Sequence, residues 1–412
     1  MIDRSFQNWI INLIRFCKER YFSNNSKRKR NIWAFSAWEG NKYADNTRYF
    51  YEYVKNKNKN IRCIWFTNNT DVFQQLKIQG DEVYIIGTEE SKEMQMKAGV
   101  AFYTNGIDDF GIRPYIFGAV IVSLWHGVGF KRIYGSEIFK KCNRILTYIR
   151  RVKNSFFYWT YRDITFTTSR YMKEKAIEQF YITKKNKVFI TGQPRNDIFQ
   201  LNLDKNKILF NCGLKRKKSI ITFMPTWQSF NDSFEIRDML EKLDKDRVFI
   251  DFLKTRNYQF LVKLHYLSKN ESSYNNIVKI NDNDISSTQE LLAITDILIT
   301  DYSSVYADFA LLNRPIIFFR PDSLNEMSEF GQYDDFKIVC KVNLAKNYCE
   351  LSNMIKKIIN GKYDYSKQNE IINQFFNDKE TVCGLSAERI YNIVLDNVNE
   401  SKILTGNTIK KI

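Results

Sequence analysis

The segment ITDILITDYSSVYADFALLNRPIIFF, residues 294 to 319, contains the pattern that decides the fold. Its first apolar run predicts a strand, residues 301 and 302 predict a turn, and Ser303 and Ser304 begin a helix. That helix continues until Pro315 starts the next strand. A strand, a helix and a second strand in this order indicate a sheet of parallel strands.

The paired serines also predict a phosphate site. Free backbone N–H groups and the dipole at a helix N-terminus attract an anion, and two hydroxyls add donors for phosphate oxygens. The alternative is that Ser303 only caps the helix. Two adjacent serines that follow Asp301 at a strand end favour the phosphate interpretation.

The rest of the chain repeats this alternation of short apolar runs with polar, helix-length stretches. The apolar runs lie at 61–68, 81–87, 100–106, 119–127, 163–169 and 187–194, and then at 219–227, 260–267, 276–282, 295–304 and 314–319. Near-continuous apolar runs are typical of a sheet that is covered on both faces. A basic, irregular stretch at 206–219 separates the two sets, so the sequence predicts two α/β domains that face each other across a cleft.

Composition narrows the class of protein. The chain has 412 residues, 44% of them hydrophobic, and a net charge of +17, which indicates a polyanionic partner: nucleic acid, an anionic membrane face or phosphate-bearing substrates. Seven scattered cysteines without a C-x-x-C pair indicate neither a zinc site nor a disulfide framework, and they favour a reduced, cytosolic compartment. The glycine-rich loops of dehydrogenases and P-loop NTPases are absent.

Residues 1–30 predict an amphipathic, basic helix. Apolar residues recur there at helical spacing, and the run KRKR follows at 27–30. No run approaches the roughly 18 apolar residues of a spanning helix, and no cleavage pattern is present. The helix fits the interfacial plane of an anionic leaflet or the protein's own surface equally well.

The chain has only two histidines, and their settings match. His126 lies in SLWHGVGF (123–130) and His265 lies in LVKLHYL (261–267), each directly after a strand-like run. Ligands bind at the carboxyl ends of strands in open α/β sheets. An isolated histidine is more often a core residue, but two matched settings favour chemistry.

Prolines mark two further strand-end turns, TGQPRND (191–197) and FMPTWQ (223–228). A proline fixes such a turn and holds its neighbours at the ligand edge. Those neighbours are Arg195, Asn196, Thr226 and Trp227. The Arg195 guanidinium suits bidentate binding of phosphate, or else a salt bridge with Asp197 or an equivalent carboxylate.

These motifs together resemble one family. WHG (125–127), TGQPRND, MPTW, KLH (263–265) and TDYSSVYADFALLNRP, with WAFSAWEGNKYADNTRYFYEYV (33–54) and GLSAERI (384–390), resemble the CDP-glycerol glycerophosphotransferase family of teichoic acid and capsule synthesis. The resemblance covers roughly residues 30 to 395. It implies a GT-B fold of two Rossmann-like domains, a CDP-linked polyol donor held mainly by the second domain, and two functional histidines, here His126 and His265.

The resemblance also implies a division of the chain and of its site. We expect the helix at 1–30, an acceptor domain at 31–205, a nucleotide-donor domain at 206–395 and a tail at 396–412. The expected donor-binding residues are Arg195, Asn196, Pro225, Thr226, Trp227, Lys263, Asp301, Ser303 and Ser304. The expected acceptor-side residues are Trp125, Gly127 and Lys131. The sequence departs from the family's pattern at Val128, Gly129 and Tyr266 and in GQYDDF (331–336), which leaves the acceptor's identity open.

The expected reaction is the attack of an acceptor hydroxyl on the phosphorus nearest the polyol, with CMP as the leaving group. A histidine is the natural base for that hydroxyl, and we assign His126; His265, Lys263 and the two serines then stabilise the pyrophosphate, although the reverse assignment stays open. No cofactor or metal is expected. The pairs Asp108–Asp109 and Asp334–Asp335 are interpreted as solvated loops.

Alternatives remain for both donor and class. A nucleotide-sugar glycosyltransferase of GT-B fold or a CDP-ribitol-dependent transferase would differ in the donor, and a protein that only binds nucleic acid or membrane would explain the charge without catalysis. We expect no nucleic-acid partner; polymerase or primase activity and the oligomeric state stay open. Residues 130–162 carry nine Lys or Arg and one acidic residue, which predicts peripheral attachment to the cytoplasmic membrane face, where a lipid-linked glycan or polymer acceptor would arrive.

Overall fold

The computed structural model describes most of the chain in fourteen segments. These are residues 17–18, 21–112, 114–128, 162–180, 182, 186–214, 218–226, 234–264, 273–281, 284–285, 287–301, 303–321, 343–376 and 384–407. They form two compact units. The first unit contains the chain up to His126, the segment that ends at Asp197 and the segment from Leu385 onward; the second contains Ile198 to Gly384 and the short segment that begins at Gly127.

In the first unit, the described residues form one sheet of seven parallel strands. The strands are β1 (Lys29–Phe35), β2 (Arg62–Thr67), β3 (Val83–Ile85), β4 (Ala98–Tyr103), β5 (Val120–Ser123), β6 (Ile164–Thr167) and β7 (Lys187–Ile190). The helices are α1 (Asp45–Lys57), α2 (Thr70–Ile78), α3 (Glu89–Lys97), α4 (Arg170–Gln179) and, at the end of the chain, α12 (Ser386–Asn407), with 3-10 turns at Ile107–Phe110 and Pro194–Gln200. The strand order is β3-β2-β1-β4-β5-β6-β7.

Alternation along the central strands builds two cores, one on each face of this sheet. Trp33 and Phe35 of β1 belong to one core, whereas Ile32 and Ala34 belong to the other. Successive side chains of a strand point to opposite faces, so a strand covered on both sides is apolar throughout. The first core also receives Ala387, Ile390, Tyr391, Val394 and Val398 of α12.

In the second unit, the described residues form a sheet of six parallel strands. The strands are β8 (Ser219–Met224), β9 (Tyr258–Lys263), β10 (Ile277–Ile280), β11 (Ile297–Thr300), β12 (Ile316–Phe319) and β13 (Leu344–Ala345). The helices are α5 (Lys205–Asn211), α6 (Phe234–Lys245), α7 (Arg247–Thr255), α8 (Thr288–Ile294), α9 (Val305–Ala310), α10 (Tyr348–Ile359) and α11 (Ser366–Phe375). The order β10-β9-β8-β11-β12-β13 repeats the strand order of the first unit.

Short polar side chains occupy the N-cap positions of many of these helices. Each accepts a hydrogen bond from a backbone N–H of the first turn, which satisfies a donor that the helix leaves free. The capping residues are Asn69, Thr88, Ser169, Asp204, Asp246, Ser287 and Asn347. Local sequence therefore fixes where the helices begin.

Each of the eleven apolar runs contains or overlaps a strand, so the predicted alternation is confirmed. The central strand β1 was not predicted, because its first residues, Lys29 and Arg30, read as the end of the basic segment at 1–30. Residues 1–16 of that segment lie outside the described residues. Arg28 fastens its end to the first unit: the guanidinium donates to the carbonyls of Ala98 and Tyr115 at 3.0 and 3.1 Å.

The final helix corrects the predicted domain boundaries. Residues 385–395 were assigned to the second domain and 396–412 to a tail, but α12 packs on the first unit because Ile390 and Val394 complete that unit's core. Asp197 accepts the backbone N–H groups of Ser386 and Ala387 at 3.0 and 2.8 Å and so anchors the start of the helix. Among the described residues, no helix is long and apolar enough to cross a bilayer.

Candidate functional site

Both sheets have a point at which the strand order reverses. In the first unit it lies between β1 and β4, and in the second between β8 and β11. Loops leave in opposite directions at such a point and open a crevice at the carboxyl ends of the strands, where ligands bind. Of the described site residues, His126 contacts the loop at the first point, and Thr226, Asp301, Ser303 and Ser304 lie at the second.

His126 lies at the reversal point of the first unit, three residues beyond the end of β5. Its imidazole contacts two indoles, with ring centroids 3.9 Å from Trp125 and 5.2 Å from Trp38. Removal from water and, to a smaller extent, the positive charge of Arg195 lower the pKa of His126 to about 3, against a hydrogen bond to the backbone of Thr104 that raises it. The ring is therefore neutral at physiological pH, and its Nδ1 has no hydrogen-bond partner among the described residues.

Two neighbouring side chains at the start of α1 hold the loop that carries His126. Asn46 Nδ2 donates to the carbonyls of Leu124 and Trp125 at 3.2 and 2.8 Å, while its Oδ1 accepts from the backbone N–H of Arg195 at 3.2 Å. Asp45 Oδ1 accepts from Arg195 Nη1 at 2.8 Å, and the same nitrogen donates to the carbonyl of His126 at 2.5 Å. Three successive carbonyls after β5 are thus fixed by side chains.

The Asp45–Arg195 ion pair is largely buried, with side chains 9% and 8% exposed. Burial raises the pKa of Asp45, while Arg195, the Asn46 backbone and the Trp38 side chain each lower it. Arg195 was predicted to bind donor phosphate. Its guanidinium contacts Asp45, a carboxylate 150 positions away in sequence, which corresponds to the salt-bridge alternative with a different partner; the phosphate role stays a prediction.

Backbone strain is concentrated around the same histidine. Trp38, Glu39, Asp45 and Trp125 have φ values of 53°, 57°, 65° and 54°, in the left-handed region that non-glycine residues seldom adopt. Each such residue costs about 1–3 kcal/mol and persists only where the surrounding structure imposes it, and such residues cluster at functional sites. The loops after β1 and β5 are held in a costly conformation where they meet His126.

Asp109 binds the loops after β1 and β4, which corrects one prediction. The pair Asp108–Asp109 was interpreted as a solvated loop, but Asp109 is 0% exposed. Its carboxyl group accepts the backbone N–H groups of Glu39, Thr104 and Asn105 at 2.6, 2.8 and 3.0 Å. Burial raises the pKa of Asp109 to about 8 against these three bonds. The residue ties the loop after β1 to the loop after β4; Asp334 and Asp335 lie outside the described residues.

A second buried carboxylate organises the reversal point of the second unit. Asp301, 0% exposed, accepts the backbone N–H of Thr226 through both oxygens at 3.0 and 2.9 Å and the Thr226 hydroxyl at 2.9 Å. It also accepts the backbone N–H of Ser303 at 3.1 Å. Asp301 therefore joins the ends of β8 and β11, and buried Pro225 lies between β8 and Thr226.

The paired serines occupy the expected turn. Helix α9 begins at Val305, and Ser304 stands at its N-cap position without a side-chain capping bond. Ser304 is exposed and Ser303 half-buried. The alternative prediction was that Ser303 caps the helix. The N-cap residue is Ser304, and its hydroxyl makes no capping hydrogen bond.

The remaining predicted residues are distributed as follows. Lys263 ends β9 and is buried, Asn196 is buried in the 3-10 turn of the first unit, and Gly127 follows His126 with a φ of 151°. His265, Trp227 and Lys131 lie outside the described residues. Of the basic stretch at 130–162 only Arg162 is described, and it is 2% exposed, over the ring of Phe180 at 4.1 Å, so it cannot belong to a membrane-facing surface.

Sequence reasoning missed Trp38, Asp45, Asn46 and Asp109 as members of the first region. One signal was present: Trp38 follows the buried run IWAF, and Asp45 and Asn46 begin the next helix, so they stand at the ligand edge once β1 is recognised as a strand. Among the described residues, no group of three or more His, Cys, Asp or Glu side chains is placed to hold a metal ion.

Comparisons with known proteins agree with this fold. A family model described as CDP-glycerol:poly(glycerophosphate) glycerophosphotransferase matches residues 19–396. The teichoic acid glycerol-phosphate transferase of Staphylococcus aureus is 25% identical over 385 residues, 88% of this chain and 92% of that protein. A teichoic acid poly(ribitol-phosphate) polymerase of Bacillus spizizenii is 30% identical over 297 residues, which cover 69% of this chain and 45% of that protein.

A teichoic acid poly(glycerol phosphate) polymerase of Staphylococcus epidermidis is 29% identical over 305 residues, 70% of this chain and 40% of that polymerase. The chain thus matches less than half the length of these two polymerases. Among solved structures, the wall teichoic acid polymerase TagF has a TM-score of 0.70 at 22% identity and covers 95% of this chain and 96% of its own. A UDP-N-acetylglucosamine 2-epimerase of Listeria monocytogenes has a TM-score of 0.56 at 12% identity, with 90% and 98% coverage.

The structural likenesses concern the fold, and they confirm the expected GT-B-like class of two Rossmann-like domains. The family match concerns the sequence and extends over nearly all of the region that carries the motifs. The chain belongs to the CDP-glycerol:poly(glycerophosphate) glycerophosphotransferase family, as the motifs predicted.

Proposed function

We propose that the chain transfers a polyol phosphate, foremost glycerol phosphate, from a CDP-activated donor to a hydroxyl of a lipid-linked glycan or a growing polyol-phosphate polymer. The observation that carries this proposal is the neutral, fixed imidazole of His126 at the reversal point of a Rossmann-like sheet, with Nδ1 unpartnered among the described residues. Family membership supports the CDP-linked donor.

In this reaction the acceptor oxygen forms a bond to the phosphorus that bears the polyol. The bond from that phosphorus to the bridging oxygen breaks, and CMP leaves with the electron pair. The acceptor hydroxyl must lose its proton, and a neutral imidazole can take it. His126 serves as this base, and the indoles of Trp125 and Trp38 contact its ring.

The pKa of about 3 belongs to the protein without substrate, and such an imidazole is a weak base. A donor or acceptor phosphate placed beside the ring adds negative charge, which opposes the effect of Arg195 and favours the protonated form. Substrate binding therefore raises the pKa of His126 toward the working range of a general base. The free protein keeps the ring neutral, and the bound phosphate makes it basic.

The second unit is assigned to the donor. Asp301 fixes the turn by accepting the backbone N–H groups of Thr226 and Ser303, so the hydroxyls of Ser303 and the exposed Ser304 follow directly after the end of β11 as donors for phosphate. Lys263 at the end of β9, with His265 and Trp227 of the donor motifs, completes this assignment. Cationic side chains and hydrogen-bond donors can carry the charge of the transferred phosphoryl group, so the proposal includes neither a metal nor a cofactor.

The test is to incubate the protein with CDP-glycerol, CDP-ribitol or a UDP-sugar, each with and without a polyol-phosphate polymer or a lipid-linked glycan. We expect acceptor-dependent release of CMP from CDP-glycerol. Preferential release from CDP-ribitol would change the polyol, in line with the similarity to a ribitol-phosphate polymerase. Release of UDP from the sugar donor without any release of CMP would overturn the proposal in favour of a glycosyltransferase.

The place of action is proposed from charge. The sequence of this stretch has eight Lys or Arg besides buried Arg162, and each Lys or Arg near an anionic leaflet contributes about 1 kcal/mol. We expect peripheral, salt-sensitive attachment to the cytoplasmic membrane face. Flotation with phosphatidylglycerol liposomes should capture the protein at low salt and release it at high salt; equal capture by neutral liposomes would contradict this location.

A further inference from the structure

We propose that Asp45 and Asn46 are positioning residues for the transfer: with Arg195 they hold the carbonyls of residues 124 to 126, and so they orient the imidazole of His126. The kinetic part of this inference rests on the proposed function. The structural part, that these side chains determine the setting of His126, does not.

The carbonyls of residues 124 to 126 lie beyond the end of β5, where the sheet no longer provides partners. Backbone carbonyls in such a place ordinarily bind water or other backbone groups. Here Asn46 binds the first two carbonyls and Arg195 binds the third. The side chains of two residues thus determine the path of the chain into the histidine.

That path is costly for the backbone. Trp125 has a φ of 54°, and a bulky residue keeps such a conformation only where the surrounding structure imposes it. The Asn46 amide binds the Trp125 carbonyl at 2.8 Å and is the contact that imposes it. Without these contacts, the Trp125 backbone would relax to an ordinary conformation. The backbone and the imidazole of His126, the next residue, would then move.

Asp45, Asn46 and Arg195 lie on elements that are held in place by burial and by a proline. Asp45 and Asn46 begin α1, whose side chains Phe50, Tyr51 and Val54 are buried in the core of the first unit. Arg195 follows Pro194 in a 3-10 turn, and Pro194 restricts the backbone there. The Asp45 carboxylate joins these two supports, because it accepts the Arg195 guanidinium and the Asn46 backbone N–H at 2.8 and 2.9 Å.

The competing explanation is that Asp45 only permits a left-handed turn at the start of α1, where its φ is 65°. Asn and Gly adopt that conformation more readily than most residues. If the backbone were all that mattered, Asp45→Asn and Asp45→Gly would both be silent. If the carboxylate positions Arg195 and the loop, both are harmful, and Gly is worse because it leaves no acceptor oxygen.

The experiment compares these variants with the matched control Asp81→Asn. Asp81 is also a buried carboxylate of the first unit; it contacts the same helix through Lys55 and accepts from Tyr51 at 2.6 Å, but it has no contact with the His126 loop among the described hydrogen bonds. For Asp45→Asn and Asp45→Gly we expect kcat of CMP release to fall about 10-fold and about 100-fold, with KM for CDP-glycerol within about threefold of the wild type. Asp81→Asn should lower thermal stability and leave kcat unchanged.

A second readout does not need activity. Because the chain has only two histidines, isotope-labelled histidine gives two sets of imidazole NMR signals, which His126→Gln assigns. Both Asp45 variants should move the His126 signals and leave those of His265 in place. Unchanged His126 signals in Asp45→Gly would overturn the inference. If those signals move but the wild type releases no CMP from any CDP-polyol, the positioning role stands and the proposed function fails.

Discussion

The reversal points of the two sheets share a strand order but differ in how their loops are held. In the first unit, Trp38, Glu39, Asp45 and Trp125 have left-handed backbones, and all four follow the carboxyl ends of strands. In the described part of the second unit, the non-glycine residues with left-handed backbones are Asn257, Asn313 and Asn343. Each lies just before a strand, at the amino ends of the strands and not at their carboxyl ends.

Asparagine adopts the left-handed conformation at little cost, whereas Trp and Glu do not. Strain in the first unit is therefore located at its ligand edge, and the second unit has none there among the described residues. The second edge is instead organised by the hydrogen bonds of Asp301 to Thr226 and Ser303. We interpret the strained loops at the carboxyl ends of the first unit's strands as the place where a catalytic base is held in position. We interpret the unstrained loops of the second unit as a binding surface.

The largest expected effect tests the first half of this comparison. His126→Gln keeps a polar side chain of similar size but removes the base, so kcat for CMP release should fall about 10²- to 10⁴-fold, while KM for the CDP-polyol changes little. His265→Gln should also impair transfer, through the donor side. Retention of near-wild-type CMP release by a folded His126→Gln protein would show that the strained edge has no catalytic base.

The next largest effect tests whether the second unit binds the donor. The Ser303→Ala, Ser304→Ala double variant loses two hydroxyl donors to phosphate, and we expect calorimetry to show CDP binding weakened about 10- to 100-fold. Ser287→Ala is the matched control: Ser287 caps α8 in the same unit, accepting from the Glu290 backbone N–H at 3.2 Å. Its loss should cost about 1 kcal/mol of stability and leave CDP affinity unchanged. Unaltered CDP binding in the double variant would remove the two serines from the donor site.

A smaller effect concerns the pH dependence of stability. The pKa of His126 is about 3 in the folded protein and about 6.5 in the unfolded chain. The unfolded chain therefore binds the extra proton first, so this stabilisation is complete above pH 6.5 and is lost as the pH falls from there toward 3. His126→Gln should lose about 1–2 kcal/mol less than the wild type between pH 7 and pH 5 in urea unfolding. Identical losses in the two proteins would contradict the lowered pKa.

The sequence predicted the architecture well because parallel strands covered on both faces have a plain signature. It failed at β1, where Lys29 precedes the buried residues, and at α12, whose apolar face gave no indication of which sheet it covers. The failure at α12 is a matter of long-range packing, which local pattern does not determine, whereas β1 was missed because its basic first residues concealed the apolar run behind them.

The site was predicted unevenly for a related reason. His126 could be found from its place after an apolar run, and Asp301 from its place before the serines. The partner of Arg195 could not, because Asp45 lies 150 positions away and only the fold brings the two together. Asp109 looked solvated because two adjacent aspartates usually are; its burial depends on backbone N–H groups from two loops that meet only in the folded sheet.

The smallest effect tests whether the strain is real. Glu39 is exposed and left-handed, so Glu39→Gly relieves the backbone at the cost of extra freedom in the unfolded chain, and we expect a net stabilisation of about 0.5–1 kcal/mol. Asn257→Gly, at an unstrained position of the second unit, should be neutral or slightly destabilising. Glu39→Gln keeps the conformation but removes a charge that raises the pKa of Asp108, so it isolates the electrostatic part. If the two glycine variants changed stability alike in urea titrations, strain would not distinguish the two edges, and the aiming of His126 would depend on the hydrogen bonds of Asn46 and Arg195 alone.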